Sequence, residues 1–247
     1  MLKLLKYEFR KTWYTKAILL IITLIAEAAF LIGVFADKDE FLAFSILALV
    51  MLSTFGIMAI GLMSLTTFHQ DLNTKQSYML FMTPNSSYKI LGAKVLENGL
   101  SIFLGGVFFA LLGLGDLSIM AAHEGDLMMV IDLFRTLLEG FQDYFTITPQ
   151  NVIAVFFTIL SNWLMILTTA YFAIVLSATF FAGKKFSGLI SFVLFLLVLE
   201  GLTRIIRLIP RPGMFFQDMV IYSVTALVLT VIMYFVTGWI MEKKLSV

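Results

Sequence analysis

Long segments without a single charged side chain dominate this sequence. Residues 41–68 and 144–183 contain no Asp, Glu, Lys or Arg. An unpaired charge is expensive in hydrocarbon, and about 20 apolar residues are needed to cross a bilayer as a helix. Across the chain 13% of residues are charged and 60% are hydrophobic, whereas a soluble domain has about 25% and 45–50%. We therefore expect an integral membrane protein.

The uncharged runs predict an all-α fold with six membrane-spanning helices in a single transmembrane domain, 1–247. The alternating pattern of a membrane β-barrel is absent. The loop 69–87 is predicted to be cytoplasmic, and 116–149 to be extracellular. The predicted spans are 17–36, 41–68, 88–115, 150–182, 187–209 and 219–241.

The distribution of basic residues predicts that both termini lie in the cytoplasm. With the N-terminus inside, 12 of the 17 Lys and Arg residues fall on the inner side. Cytoplasmic loops carry such an excess of positive charge. The five on the outer side are Lys38, Arg135, Arg204, Arg207 and Arg211.

Two segments outside the predicted spans have amphipathic patterns. Residues 1–16 predict a helix in the inner headgroup region, with its basic side chains on anionic lipid. Residues 127–143 predict an outer helix, since apolar and charged positions fall on opposite faces at helical spacing. Two roles stay open for this outer helix: it lies on the membrane or the bundle, or it acts as a lid. The apolar stripe of the first segment consists of Leu2, Leu5, Phe9 and Trp13.

The loop between the second and third spans has the pattern of a short amphipathic helix. Asp71 and Lys75 are four residues apart in the order that favours a helix, and apolar side chains follow. Such a helix suits docking into a groove on a partner protein, although an ordinary solvated loop is the alternative. The candidate docking residues are Asp71, Leu72, Lys75, Tyr78 and Phe81.

The chain lacks the motifs of catalysis and cofactor binding. The segment 182–185 resembles a Walker A loop but lacks its first glycine and its Ser/Thr. His69 and His123 are predicted on opposite sides of the membrane, and there is no cysteine, so we expect no metal site and no His-based triad. A net charge of +1 excludes a basic nucleic-acid surface. We expect no enzymatic activity in this chain.

Three charged residues are candidates for an intramembrane role: Glu27, Glu200 and Arg204. A carboxylate at membrane depth needs a partner. We expect Glu27 or Glu200 to face Arg204 inside the bundle. Either a structural ion pair or a gate or cargo contact would explain them.

Four segments resemble the permease subunits of bacterial type-2 ABC exporters, most closely those of Gram-positive bacteria. They are 1–11 (MLKLLKYEFRK), 68–71 (FHQD), 77–84 (SYMLFMTP) and 89–94 (KILGAK). The resemblance covers the whole chain in topology and, in motif, about 40 residues, which are 1–11 and the stretch 68–94 that contains the other three segments. The large outer segment between spans three and four departs from many relatives, which elaborate the loop between spans five and six.

The resemblance implies a permease homodimer in a bacterial plasma membrane. It also implies two copies of a separate ABC ATPase, docked through the loop after span two, that bind ATP and Mg²⁺. Independently of the resemblance, the apolar spans and the acidic outer segment favour an amphipathic, hydrophobic or cationic cargo, such as a peptide. Two alternatives remain: a stand-alone secondary transporter or channel, and a non-transporting membrane scaffold or immunity protein.

Overall fold

The computed structural model describes residues 2–73, 86–124, 148–180 and 186–245, together with seven residues of 128–140. Over these residues the chain is helical, without strands, and six helices are long and apolar enough to cross a membrane. The predicted all-α, six-span fold is therefore confirmed, and the chain is a multi-pass membrane protein. The helices are α1 (Leu2–Phe35), α2 (Asp39–Asn73), α3 (Ser87–Glu124), α4 (Pro149–Phe180), α5 (Ser187–Arg207) and α6 (Phe215–Ile240), the last continuing as a π-helix, Met241–Leu245.

Several helices extend beyond the predicted spans. Helix α1 runs without a break through the position at which an interfacial helix was expected to end, residue 16. The reason is local, because Lys, Arg, Glu and Leu are good helix formers and no Gly or Pro interrupts the join. Helix α2 includes residues 69–73 of the predicted cytoplasmic loop, and α3 continues nine residues past the predicted end at 115. Absence of charge located the spans but not the ends of the helices.

A tight turn joins α1 to α2. The amide of Lys38 donates to the carbonyl of Gly33 at 3.2 Å, and Asp37 adopts a left-handed backbone with φ of 49°. Asp tolerates this conformation better than most residues. A Cβ at Gly33 would lie 2.9 Å from the Cα of Leu42, so glycine permits the close approach of the two helices.

The helices divide between two compact units, of which the first comprises residues 1–5, 65–96 and 145–247. Its main core cluster packs the end of α2 and the start of α3 against α4 and the end of α6, around the fully buried Tyr171. A second cluster joins α4, α5 and α6 around Met165. The hydroxyl of Tyr222 donates to Asn162 Oδ1 at 2.8 Å, so polar contacts as well as apolar packing hold α6 on α4.

The second unit comprises residues 6–64 and 97–144. Its core cluster is centred on Phe30, Val34 and Leu49, with side chains of α3 packed against them. The described residues of 128–140 are helical, as the amphipathic pattern predicted. Arg135 Nε lies 3.4 Å from Glu139 Oε1, one helical turn away, and both side chains are exposed.

Candidate functional site

A buried ion pair joins α2 to α3 beside the segment that connects them. Lys94 Nζ donates to Asp71 Oδ2 at 2.7 Å, and the two side chains are 1% and 2% exposed. Asp71 lies in the last turn of α2 and Lys94 in the second turn of α3. Removing two charges from water is costly, so such a pair persists only when its geometry is good and its other polar atoms are satisfied. The ends of α2 and α3 are thereby held in fixed register.

Aromatic side chains enclose this pair. Lys94 Nζ lies 5.4 Å from the centre of the Phe68 ring, a cation–π distance. Phe68 contacts Tyr171 of α4 edge to face, with ring centres 4.9 Å apart. The Tyr171 hydroxyl donates to the carbonyl of Lys94 at 3.4 Å. Helix α4 therefore supports the ion pair through one continuous chain of contacts.

The predicted docking residues do not share one environment. Asp71 is buried in the ion pair, and Leu72 is buried in the main core cluster. Neither side chain is presented to a partner, contrary to the expectation that they lie on an exposed loop. The physical reason is that α2 continues through them, so both sit on its packed face. Lys75, Tyr78 and Phe81 lie outside the described residues.

A second buried polar cluster lies in the other unit, on α1 and α3. The acceptor is Glu97 Oε1, which receives hydrogen bonds from Thr12 Oγ1 at 2.7 Å, Lys16 Nζ at 2.8 Å and Ser101 Oγ at 2.9 Å. Lys16 also donates to Ser101 Oγ at 2.6 Å. Glu97 is 2% exposed, so its charge is neutralised and hydrogen-bonded within the protein. The cluster fixes α1 against α3.

Arg204 pairs with Glu200 but not in the interior. Its Nε donates to Glu200 Oε1 at 2.9 Å, one helical turn back on α5. The Arg204 and Glu200 side chains are 74% and 51% exposed, whereas we expected the pair inside the bundle. Helical spacing alone brings these two together, because residues four apart share a face. The pair lies on an outer face of its unit.

Glu27 of α1 lies against a residue that the sequence analysis assigned to the extracellular segment. Its carboxyl group lies beside the carboxyl of Asp116 on α3. Glu27 Oε2 is buried and has no hydrogen-bond partner among the described residues. Two neighbouring carboxyl groups that shared one proton would hold a single negative charge between them.

Sequence reasoning missed Lys94, Glu97 and Asp116 as functional candidates. Lys94 and Glu97 were assigned to the inner end of the third span, and Asp116 to the outer segment. A signal was available for the first two, since charged side chains in an otherwise apolar stretch need partners. No comparable local signal identified those partners, which are 23 and 81 residues away.

Comparison of the chain with protein-family models, with curated proteins and with solved structures finds no match. Over the described residues, no group of three or more His, Asp or Glu side chains is arranged to hold a metal ion.

Proposed function

We propose that this chain is the membrane-spanning permease subunit of an ABC exporter. It moves an amphipathic or hydrophobic cargo outward, using ATP and Mg²⁺ bound by a separate ATPase subunit. The full assembly has two permease copies and two ATPase copies. Both termini lie on the cytoplasmic side of a bacterial plasma membrane, as the charge distribution predicts.

The observation that carries the proposal is the placement of the buried ion pair. The connecting segment leaves α2 after Asn73 and enters α3 at Ser87. Asp71 and Lys94 clamp the two helices within two turns of these points. Because the buried pair links the two helices, a force applied to the segment would act on α2 and α3 together. This is the property that a coupling segment requires, and the same stretch carries the exporter-like motifs.

One observation favours the alternative of a secondary transporter. Carboxyl groups inside membrane helices commonly belong to proton pathways, and Glu27 and Asp116 form such a pair. A proton-driven protein would work without an ATPase. The nucleotide requirement therefore separates the two candidates.

The test is co-purification of the tagged chain from membranes of its own host, followed by an ATP hydrolysis assay on the purified material. We expect a stoichiometric ATPase subunit, recovered with the parent chain. Tyr78→Asp should reduce its recovery, because a small interface draws most of its affinity from a few buried anchors. Tyr78→Phe is the matched control and should retain it.

The folded state of each variant is checked by size-exclusion chromatography. A chain that purifies folded, without any nucleotide-hydrolysing subunit, would count against the exporter. Equal ATPase recovery with Tyr78→Asp and Tyr78→Phe would instead place the docking surface away from Tyr78.

A further inference from the structure

An apolar cavity of about 530 Å³ lies within the second unit, between α1, α2 and α3. This volume is in the roughly 300–1,000 Å³ range of small-ligand sites. Phe30 and Leu49, both of the core cluster, form part of its wall. Val50 and Leu114 on the same wall are 59% and 43% exposed, so the cavity is open along one side.

One lining residue breaks the apolar character of this cavity. Asp116 contributes to the wall, and Glu27 lies against it. The remaining lining residues are apolar apart from Ser53, whose hydroxyl donates to the carbonyl of Val50 at 2.8 Å. An apolar cavity with one polar point that fixes orientation is the usual construction of a small-molecule site.

The carboxyl pair has a charge that the described protein does not neutralise. Among the described residues, no ion pair joins Glu27 or Asp116 to a Lys or Arg. Glu27 Oε2 also lacks a donor among the described residues. Two other buried carboxylates of the chain, Asp71 and Glu97, each have a lysine at 2.7–2.8 Å. The pair at the cavity is thus complementary to a cation with N–H donors.

We infer that this cavity binds a small amphipathic amine, with its ammonium group on the Glu27–Asp116 pair and its apolar body against α2 and α3. A neutral lipid chain would satisfy the walls but would leave the carboxyl pair without a donor. The inference stands independently of the proposed exporter, since it involves no ATPase and no transport step.

The test uses dansylcadaverine, a primary amine on an alkyl chain with a fluorescent aromatic group. Its emission is followed on titration into the purified chain in nanodiscs, without nucleotide, and empty nanodiscs supply the background. N-acetyl-dansylcadaverine, which lacks the ammonium group, is the matched ligand. We expect saturable binding of the amine and at least about tenfold weaker binding of the acetylated form, because acetylation removes the charged hydrogen-bond donor and a tenfold change corresponds to about 1.4 kcal/mol.

Two kinds of variant test the location of the site. Glu27→Gln with Asp116→Asn removes the charge and keeps an amide pair of similar shape, so the affinity for the amine should fall at least about tenfold. Gly113→Leu fills the cavity from its wall, because a Cβ there meets nothing within 4 Å, and it should also abolish saturable binding. Gly106→Leu is the matched control, since Gly106 is equally open but does not line the cavity.

Three results would overturn the inference. The first is equal affinity for the amine and its acetylated form, which would show a purely apolar groove. The second is unchanged amine binding in both the carboxyl variant and Gly113→Leu. The third is no saturable signal above empty nanodiscs. If the carboxyl variant does not fold, the comparison of Gly113→Leu with Gly106→Leu decides.

Discussion

Removing one member of the Asp71–Lys94 pair should strongly destabilise the protein, although the pair lies near the ends of α2 and α3. Asp71→Asn keeps the shape of the side chain and removes the negative charge that lies 2.7 Å from Lys94 Nζ. Because the pair is 1% and 2% exposed, solvent does not screen the loss. Breaking a buried pair in this way costs about 3–5 kcal/mol. Lys94→Met should cost a similar amount, since it strands the carboxylate.

The double variant Asp71→Leu with Lys94→Met should behave differently. It removes both charges and leaves apolar side chains in the core between α2, α3 and α4. Replacing a buried pair by apolar residues is often neutral or stabilising. Made singly, Asp71→Leu and Lys94→Met should have costs that sum to about 6–10 kcal/mol, whereas the double variant should lie within about 1 kcal/mol of the parent. This large coupling energy identifies the pair as a clamp.

The assay is equilibrium unfolding in mixed micelles by titration with dodecyl sulfate, followed by tryptophan fluorescence. Glu139→Gln is the control, because it removes an exposed pair and should change the free energy of unfolding by about 0.5 kcal/mol or less. A cost for Asp71→Asn as small as that of the control would refute the reasoning. So would a double variant as unstable as the sum of the singles.

Two further predictions concern close packing and topology. Gly238→Ala should lower the midpoint of thermal unfolding, because its Cβ would overlap the ring of Tyr88 and overpacking costs about 1–3 kcal/mol. The control is Gly201→Ala, whose Cβ would meet nothing within 4 Å and which should leave the midpoint unchanged or raise it. Equal effects of the two variants would contradict the packing argument. This chain has no cysteine, so single cysteines can be introduced and labelled with an impermeant thiol reagent in intact cells. The inner positions, Ser77, Lys184 and Ser246, should resist the reagent, and the outer position, Glu124, should react. Labelling in the reverse pattern would show the opposite orientation.

The number and type of the helices could be predicted because the signal is local and strong. A run such as 41–68 has no alternative to a buried or lipid-facing helix once charge is excluded from hydrocarbon. The helix ends could not be predicted in the same way. Polar residues stop a span at the membrane surface but do not stop a helix, so α1 and α3 continue through them.

The candidate site could be predicted only in part, because its pairing is tertiary. Asp71 was matched with Lys75 by helical spacing, whereas the structure matches it with Lys94 across two helices. Glu200 and Arg204 are the opposite case, since their pairing follows from spacing alone, while their exposure depends on which face of α5 is packed. Local periodicity identifies neighbours on one helix but does not predict contacts between residues on different helices.

The clamp between Asp71 and Lys94 also bears on the order of events while the chain is being made. Helix α2 leaves the ribosome before α3, so the Asp71–Lys94 pair cannot form until residue 94 has been made. Asp71 is 1% exposed in the folded chain, and burying its carboxylate before Lys94 is in place would be costly. The end of α2 should therefore stay undocked during synthesis until the start of α3 has emerged.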